Sequence, residues 1–452
     1  MLADKIKALI RDYNPWWDGK EIIVPPYKRY IFSVISDYLK PKQIITIVGL
    51  RRVGKTVIMK QIIKQLLMEL QEKKEVNNLF YFLFDDLLTQ NPTVLEEIIE
   101  YFLKTIASEQ GRKYIFLDEI QKVANWQDIL KRFYDTREDL KFIVSGSASL
   151  NILQSKESLA GRIFDIYLPI LTYREFLEMN DIKIEKPNLS LSELRSVYDA
   201  NLHKKVILEQ MLLDYLIRGP FPELAHEKNE EIIRNYIKSS VIEHILLGDI
   251  PLAYNVRRKD ILYALLEYCC KETSNLLDLT SLANILGVNY QTIKEYLFYL
   301  KDAFLIDLLF NYSESIAKEL RKNKKVHIAH PAITIAILQY SKNNLLIEEI
   351  VSKYIETVVF QHARLMADRI SFWRSPQKDE VDLVIETIPL LPIEVKYKNK
   401  VNSQDIAGLI KFLLKKNLTR GIIVTKDTLD EKEIKGVSVL FVPTWLFLLA
   451  IV

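Results

Sequence analysis

Short apolar runs separated by amphipathic stretches open the chain: Gln43 to Val48, Thr56 to Gln71, Leu79 to Phe84, Tyr114 to Leu117 and Phe142 to Val144. The short runs predict strands, the long stretch predicts a helix, and their alternation predicts a parallel α/β sheet. After Leu171 the strand pattern stops. Tyr173 to Leu247 reads as helix after helix, broken at Arg218-Gly219-Pro220-Phe221-Pro222, and predicts a helical lid on the α/β core. Between about 255 and 312 come two helices, a turn at Gly287, a further helix and a short apolar β pair. From Phe372 the pattern returns to strands, which predicts a second α/β unit.

The chain has 452 residues, 49% of them hydrophobic. That length holds about three domains of roughly 150 residues, and the composition excludes global disorder. Only 12 glycines and 15 prolines argue against long flexible linkers. With 62 Lys+Arg against 59 Asp+Glu, the net charge of +3 excludes a molecule basic all over and leaves room for local basic patches. Cys269 and Cys270 are neighbours and cannot build a disulfide framework, which fits a reducing cytosol. The longest apolar stretch, Val442 to Val452, is about half of the ~20 residues that a membrane helix needs. The expectation is a soluble, cytoplasmic protein without a membrane partner.

Gly49-Leu-Arg-Arg-Val-Gly-Lys-Thr56 follows the first strand and opens the first helix. This is the phosphate-loop pattern G-x-x-x-x-G-K-[ST] in its required context. Its backbone N–H groups and the helix N-terminus would cradle the phosphates of ATP, with Lys55 at the β and γ oxygens and Thr56 on Mg²⁺. Gly49, Arg52, Val53, Gly54, Lys55, Thr56 and Val57 are the expected nucleotide contacts. The apolar strand from Tyr114 then delivers Asp118 and Glu119 at its C-terminal edge, where ligands gather in an open parallel sheet. Asp118 is expected to hold Mg²⁺ through water, and Glu119 to polarise the attacking water. Ser145-Gly146-Ser147 ends the next strand, with Ser147 a candidate sensor of the γ-phosphate. Arg132, Arg137 and Arg162 are candidates for an arginine acting across a homo-oligomer interface, although a surface ion pair explains each as well.

Leu279 to Leu300 has the helix, Gly287 turn, helix pattern of a helix-turn-helix, with Leu282, Ile285, Ile293, Leu297 and Leu300 as its apolar face. Asn289, Tyr290, Gln291 and Lys294 would face DNA if the second helix enters a groove. Interdomain packing is the competing use. The basic runs Arg257-Arg258-Lys259 and Arg321-Lys322-Asn323-Lys324-Lys325 read as solvated faces.

Near the end, Asp382, Glu394 and Lys396 form D-x11-E-x-K on two strands. Glu394 and Lys396 lie two apart and share one face, with Asp382 opposite. Asp382 and Glu394 would bind Mg²⁺ or Mn²⁺ while Lys396 orients water for phosphodiester cleavage.

Together with Leu117-Asp-Glu-Ile-Gln121, Trp126, Leu159-Ala-Gly-Arg162 and Arg218-Gly-Pro-Phe-Pro-Glu223, the phosphate loop and Ser145-Gly-Ser147 resemble the prokaryotic, largely archaeal AAA+ ATPases related to the STAND switch ATPases. The C-terminal trio resembles the PD-(D/E)xK nucleases, and Glu356 in the helix Ile347 to Met366 matches their additional helical acid and metal ligand. The resemblance implies an α/β fold: a P-loop AAA+ core over 1–170, a helical lid over 171–250 that carries Pro220 or Pro222 towards the nucleotide, a winged helix and connector over 251–345, and a restriction-endonuclease-like domain over 346–452. Two functions follow. One is an ATP-hydrolysing protein that binds and cuts DNA; the other is a STAND-like switch whose nuclease-fold domain is an inactive output.

Overall fold

The computed structural model describes residues 3–146, 159–315, 319, 323–398 and 400–451. Its contacts divide the chain into two compact units, Met1–Pro169 with Gly248–Asn255, and Ile170–Leu247 with Val256–Val452.

Five parallel strands form the first unit's sheet: β1 (Ile44–Val48), β2 (Leu79–Leu83), β3 (Lys113–Asp118), β4 (Leu140–Gly146) and β5 (Ile163–Tyr167), in the order β2-β3-β4-β1-β5. Every residue of β1 and β4 is buried, as expected where helices cover both faces of a parallel sheet. Neighbours of β1 lie on both sides although they come much later in the chain, so its C-terminal end is the switch point where such sheets bind ligands. Sequence pattern did not foresee β5. Asp165 interrupts its apolar run, and the Asp165 carboxylate accepts a 2.5 Å hydrogen bond from Thr46 Oγ1 on β1. At the opposite edge, Asn14 exchanges hydrogen bonds with the backbone of Tyr81, and the indoles of Trp16 and Trp17 both donate to the Leu79 carbonyl. The amino-terminal segment thereby closes the free side of β2 and fixes the strand that carries Tyr81.

An eight-stranded mixed sheet organises the second unit. Its strands are β6 (Ile306–Asn311), β7 (Lys325–Ile328), β8 (Ile370–Arg374), β9 (Glu380–Ile385), β10 (Leu391–Lys396), β11 (Arg420–Thr425), β12 (Asp430–Ile434) and β13 (Val437–Pro443), ordered β12-β13-β11-β10-β9-β8-β6-β7. Three helices, Lys259–Lys271, Leu279–Leu286 and Tyr290–Asp302, precede the antiparallel β6–β7 pair. β6 then pairs in parallel with β8, so this sheet runs across the boundary expected at 345/346.

Of the segment expected to form a lid on the ATPase core, residues up to Leu247 belong to the second unit and Gly248–Asn255 to the first. The Tyr173 N–H donates to His362 Nε2 at 3.0 Å, and the Tyr215 hydroxyl donates to the Leu171 carbonyl at 2.6 Å. The helix Lys205–Arg218 stops where the sequence predicts a break, and the Pro220 carbonyl accepts the Leu171 N–H. Gly408 lets the helix Ala407–Lys415 lie against β9, because a Cβ there would fall 2.1 Å from the Glu380 carbonyl oxygen.

Candidate active sites

The loop after β1 has the shape its sequence predicts. Arg52 and Gly54 both take positive φ, 69° and 101°, an alternation that turns successive N–H groups into one concavity. A Cβ at Gly49 would lie 2.3 Å from the Leu168 carbonyl oxygen, so only glycine allows the loop to close against the end of β5. Lys55 opens the helix Lys55–Glu72 and is buried, its ammonium donating to the carbonyls of Gly49 and Leu50 at 3.0 and 3.1 Å. Burial lowers its pKa, although Glu119, Asp118 and Asp249 pull the other way. A phosphate chain would therefore meet a lysine already aimed across the loop.

Asp118 ends β3 with both carboxylate oxygens engaged. Oδ2 accepts from Thr56 Oγ1 at 2.7 Å and from the Tyr81 hydroxyl at 3.0 Å, and Oδ1 accepts from Ser145. Burial, then the Asp118 charge, raises the Tyr81 pKa, which keeps this phenol a donor. Thr56 and Asp118 thus bring hard oxygens together in a way that fits Mg²⁺. Glu119 takes φ 55° and donates its N–H to Asp118 Oδ1 at 3.1 Å, and its Oε2 accepts from Gln121 Nε2 at 2.5 Å. Ser147 lies outside the described residues. Arg132, Arg137 and Arg162 are each held by a carboxylate, of Glu96, Asp139 and Asp135, so the ion-pair explanation accounts for all three. Two site residues escaped the sequence analysis: Tyr81, and Asp249, whose carboxylate lies 3.8 Å from the guanidinium of the loop residue Arg51.

In the second unit, a cleft of about 370 Å³ opens between the helix Tyr290–Asp302 and the β6–β7 pair. Lys294, Lys301, Lys324, Tyr290 and Phe298 are among its lining residues. Tyr290 and Phe298 stay 48% and 45% exposed, and the Lys294 nitrogen lies 5.5 Å from the Tyr290 ring. Burial, then the charges of Lys294 and Lys301, lowers the Lys324 pKa. Asn289 caps the helix by accepting the Thr292 N–H, and Gln291 donates to Glu295, so these two expected DNA contacts already have partners within the protein. Ile285 departs from the expected apolar face: it is 69% exposed, whereas Leu282, Ile293, Leu297 and Leu300 are buried.

The second acidic cluster also forms, with an addition. Asp382 on β9 lies beside Glu394 on β10: its Oδ2 accepts the Val395 N–H at 2.9 Å, and its own N–H donates to Glu394 Oε2 at 3.3 Å. Lys396 Nζ lies 2.5 Å from Glu394 Oε1 and 3.7 Å from Asp382 Oδ2, on the shared face that strand alternation predicts. The addition is Lys325 on β7, whose side chain is 3% exposed. Its ammonium lies 3.0 Å from Glu356, 2.5 Å from Glu380 and 3.4 Å from Asp382. The expectation that the basic run through Lys325 is a solvated face is therefore wrong for this residue. Asp382, Glu394 and Glu356, expected as metal ligands, do not converge on a metal position. Lys325 and Lys396 lie against their oxygens, and among the described residues no group of three acids, histidines or cysteines could hold a metal ion. The donor set as folded does not fit a divalent ion.

Burial, then the Asp382 charge, pushes Glu356 and Glu394 from 4.5 up to about 8. Burial also works against an ionised Asp382, but Lys396 and Lys325 outweigh it and hold that acid below its ordinary value. The two raised glutamates bind protons more tightly folded than unfolded. Their stabilisation is present below pH 4.5 and is lost as the pH rises through about 8. Urea unfolding of the native chain is expected to show stability falling across this interval, with a flatter profile in Glu394→Gln. Stability that rises with pH would contradict the assignment.

The AAA domain family matches residues 41–177, and two domains of unknown function, DUF8612 and DUF4143, match residues 209–344 and 352–445. The first match and the loop geometry agree that this segment is a P-loop ATPase domain of the AAA type. The other two matches meet between 344 and 352, a point that the mixed sheet spans. Over 445 residues the chain is 26% identical to an uncharacterized protein of Methanocaldococcus jannaschii, covering 94% of this chain and 89% of that one. It is 22% identical over 417 residues to an uncharacterized protein of Haemophilus influenzae, covering 91% and 94%. Among solved structures it is similar to a Walker-type ATPase of Pyrococcus abyssi, with 13% identity, a TM-score of 0.40 and coverage of 69% and 96%. The ORC1 protein of Aeropyrum pernix in complex with DNA is also similar, with 14% identity, a TM-score of 0.32 and coverage of 72% and 96%. No helix among the described residues is long and apolar enough to cross a membrane.

Proposed function

We propose that the protein is an ATP-driven switch acting on DNA, in which ATP hydrolysis at the first unit controls a DNA-binding second unit. The observation that carries the ATPase half is the meeting of Thr56, Asp118 and Lys55 at the end of the β1 loop. Lys55 would neutralise phosphate charge, and Glu119 would orient the attacking water. Thr56 and Asp118 would hold Mg²⁺, which would supply further charge neutralisation.

The DNA half rests on the three-helix segment with its β6–β7 pair, which we read as a winged helix. Its cleft combines three lysines with exposed aromatic rings, a pairing suited to phosphates and to bases. Fluorescence anisotropy with labelled duplex and single-stranded DNA, in a salt series with and without ATP, tests this half. Lys294→Ala is expected to weaken binding and to lower the slope of log affinity against log salt by about 1. Unchanged affinity and slope would instead assign this surface to packing.

Mg²⁺-dependent cleavage at Asp382, Glu394 and Lys396 is the competing reading of the C-terminal sheet, which we take to be restriction-endonuclease-like. Lys325 favours the switch, because the acids that cleavage needs are already bound to ammonium groups. On this reading the sheet is an output domain that binds without cutting. Product formation from labelled duplex, single-stranded or branched DNA in Mg²⁺ or Mn²⁺ would overturn it.

A further inference from the structure

The oxygens of the C-terminal acidic cluster meet N–H donors of Lys325, Lys396, Arg374 and the backbone. A lysine carries three N–H donors and no acceptor, and the Lys325 ammonium faces three carboxylates, of Glu356, Glu380 and Asp382. Asp382 Oδ1 turns to Lys325, while Oδ2 faces Lys396 and takes the Val395 N–H. Glu394 Oε1 meets Lys396, and its Oε2 takes the Asp382 N–H. A divalent ion would have to sit about 2.0–2.6 Å from several of these oxygens. The Lys325 nitrogen is 2.5–3.4 Å from three of them, so an ion and this ammonium cannot share the space.

The strand geometry keeps Lys325 there. β7 pairs with β6 at Leu309↔Lys325, and Leu276 bridges to Lys325 from the other side, so its backbone is held on both flanks. The Lys325 side chain also packs with its nitrogen 5.6 Å from the Phe372 ring on β8. Burying the ammonium of a long, flexible side chain is costly unless carboxylates compensate it; Glu380 and Asp382 do so here, and Glu356 Oε1 accepts a further hydrogen bond from it.

We propose that Lys325 is the resident cation of this centre: its ammonium stands where a divalent ion would stand, the intact chain does not bind Mg²⁺ or Mn²⁺ there, and replacing Lys325 opens a divalent-cation site on Glu356, Glu380 and Asp382. This deepens the non-cleaving reading of the output domain and rests on it.

The test is an EPR titration with Mn²⁺ alone, without nucleotide, on the full-length native chain, Glu394→Gln, Lys325→Met and the Lys325→Met, Asp382→Asn double variant. The native chain and Glu394→Gln are expected to bind the same number of Mn²⁺ ions. Lys325→Met is expected to bind one more per chain, with a rise in melting temperature on adding Mn²⁺, and the double variant is expected to lose both effects. Mn²⁺ bound by the native chain and lost in Glu394→Gln would overturn the proposal. So would a folded Lys325→Met chain that gains no ion. If Lys325→Met does not fold, the comparison of native chain with Glu394→Gln still decides. DNA cleavage is scored separately: native Mn²⁺ binding without cleavage defeats this proposal alone, whereas cleavage defeats the switch reading.

Discussion

Glu119→Gln is expected to bind ATP about as tightly as the native chain and to hydrolyse it about 10²–10⁴-fold more slowly, the usual contribution of a positioned general base. The substitution keeps the side chain's length and leaves the phosphate loop and Asp118 untouched. The Gln121 amide, which now donates to the Glu119 carboxylate, would find an amide oxygen in the same place. The capacity to accept a proton from water is removed, together with a negative charge that acts on Lys55. Phosphate release at saturating Mg-ATP, alongside binding of a fluorescent ATP analogue, separates the two effects. Lys55→Ala is the contrasting control: its ammonium would hold the phosphates, so binding and turnover should both fall. Turnover by Glu119→Gln within about threefold of native would move the base elsewhere, since a true base accounts for at least the lower end of that range.

The largest effect on stability is expected from Asp382→Ala, which should destabilise the second unit by about 3–5 kcal/mol, the usual result of removing one partner from a buried ion pair. Two ammonium groups lose a partner at once, Lys325 at 3.4 Å and Lys396 at 3.7 Å, and the Val395 N–H loses its acceptor. Chemical denaturation followed by the fluorescence of Trp373 and Trp445, both in that unit, would measure the loss. A change below about 1 kcal/mol is what a solvated surface pair gives, and it would mean that water reaches the cluster.

The phosphate loop was legible because its chemistry lies in eight consecutive residues between a strand and a helix. The Asp118-Glu119 strand end and the spacing of Asp382, Glu394 and Lys396 were legible for the same local reason. What the sequence hid was long-range. Tyr81 is 37 residues from Asp118, and its role depends on β2 lying next to β3. Lys325 is 57 residues from Asp382 and ends a basic run, where a solvated face is the ordinary expectation. No periodicity distinguishes Lys324, which lines the cleft, from Lys325, which is buried among acids. Strand alternation separates them only once β7 is placed between the two. The same limit explains β5, whose interior Asp165 looks like a loop residue until Thr46 is seen to pair with it.

The pairing of β6 with β8 also bears on how the protein can be cut into pieces. A gene fragment beginning near residue 346 would express β8 with a bare row of N–H and C=O groups along one side, a template for pairing between copies. The same cut would remove Lys325 and leave Glu356, Glu380 and Asp382 without their shared cation. Such a fragment should be insoluble, or should acquire an affinity for metal ions that the whole chain lacks. A fragment beginning near 170 keeps the strand, the lysine and the segment Ile170–Leu247 that belongs to this unit, and it is the shorter chain on which the acidic centre can be studied.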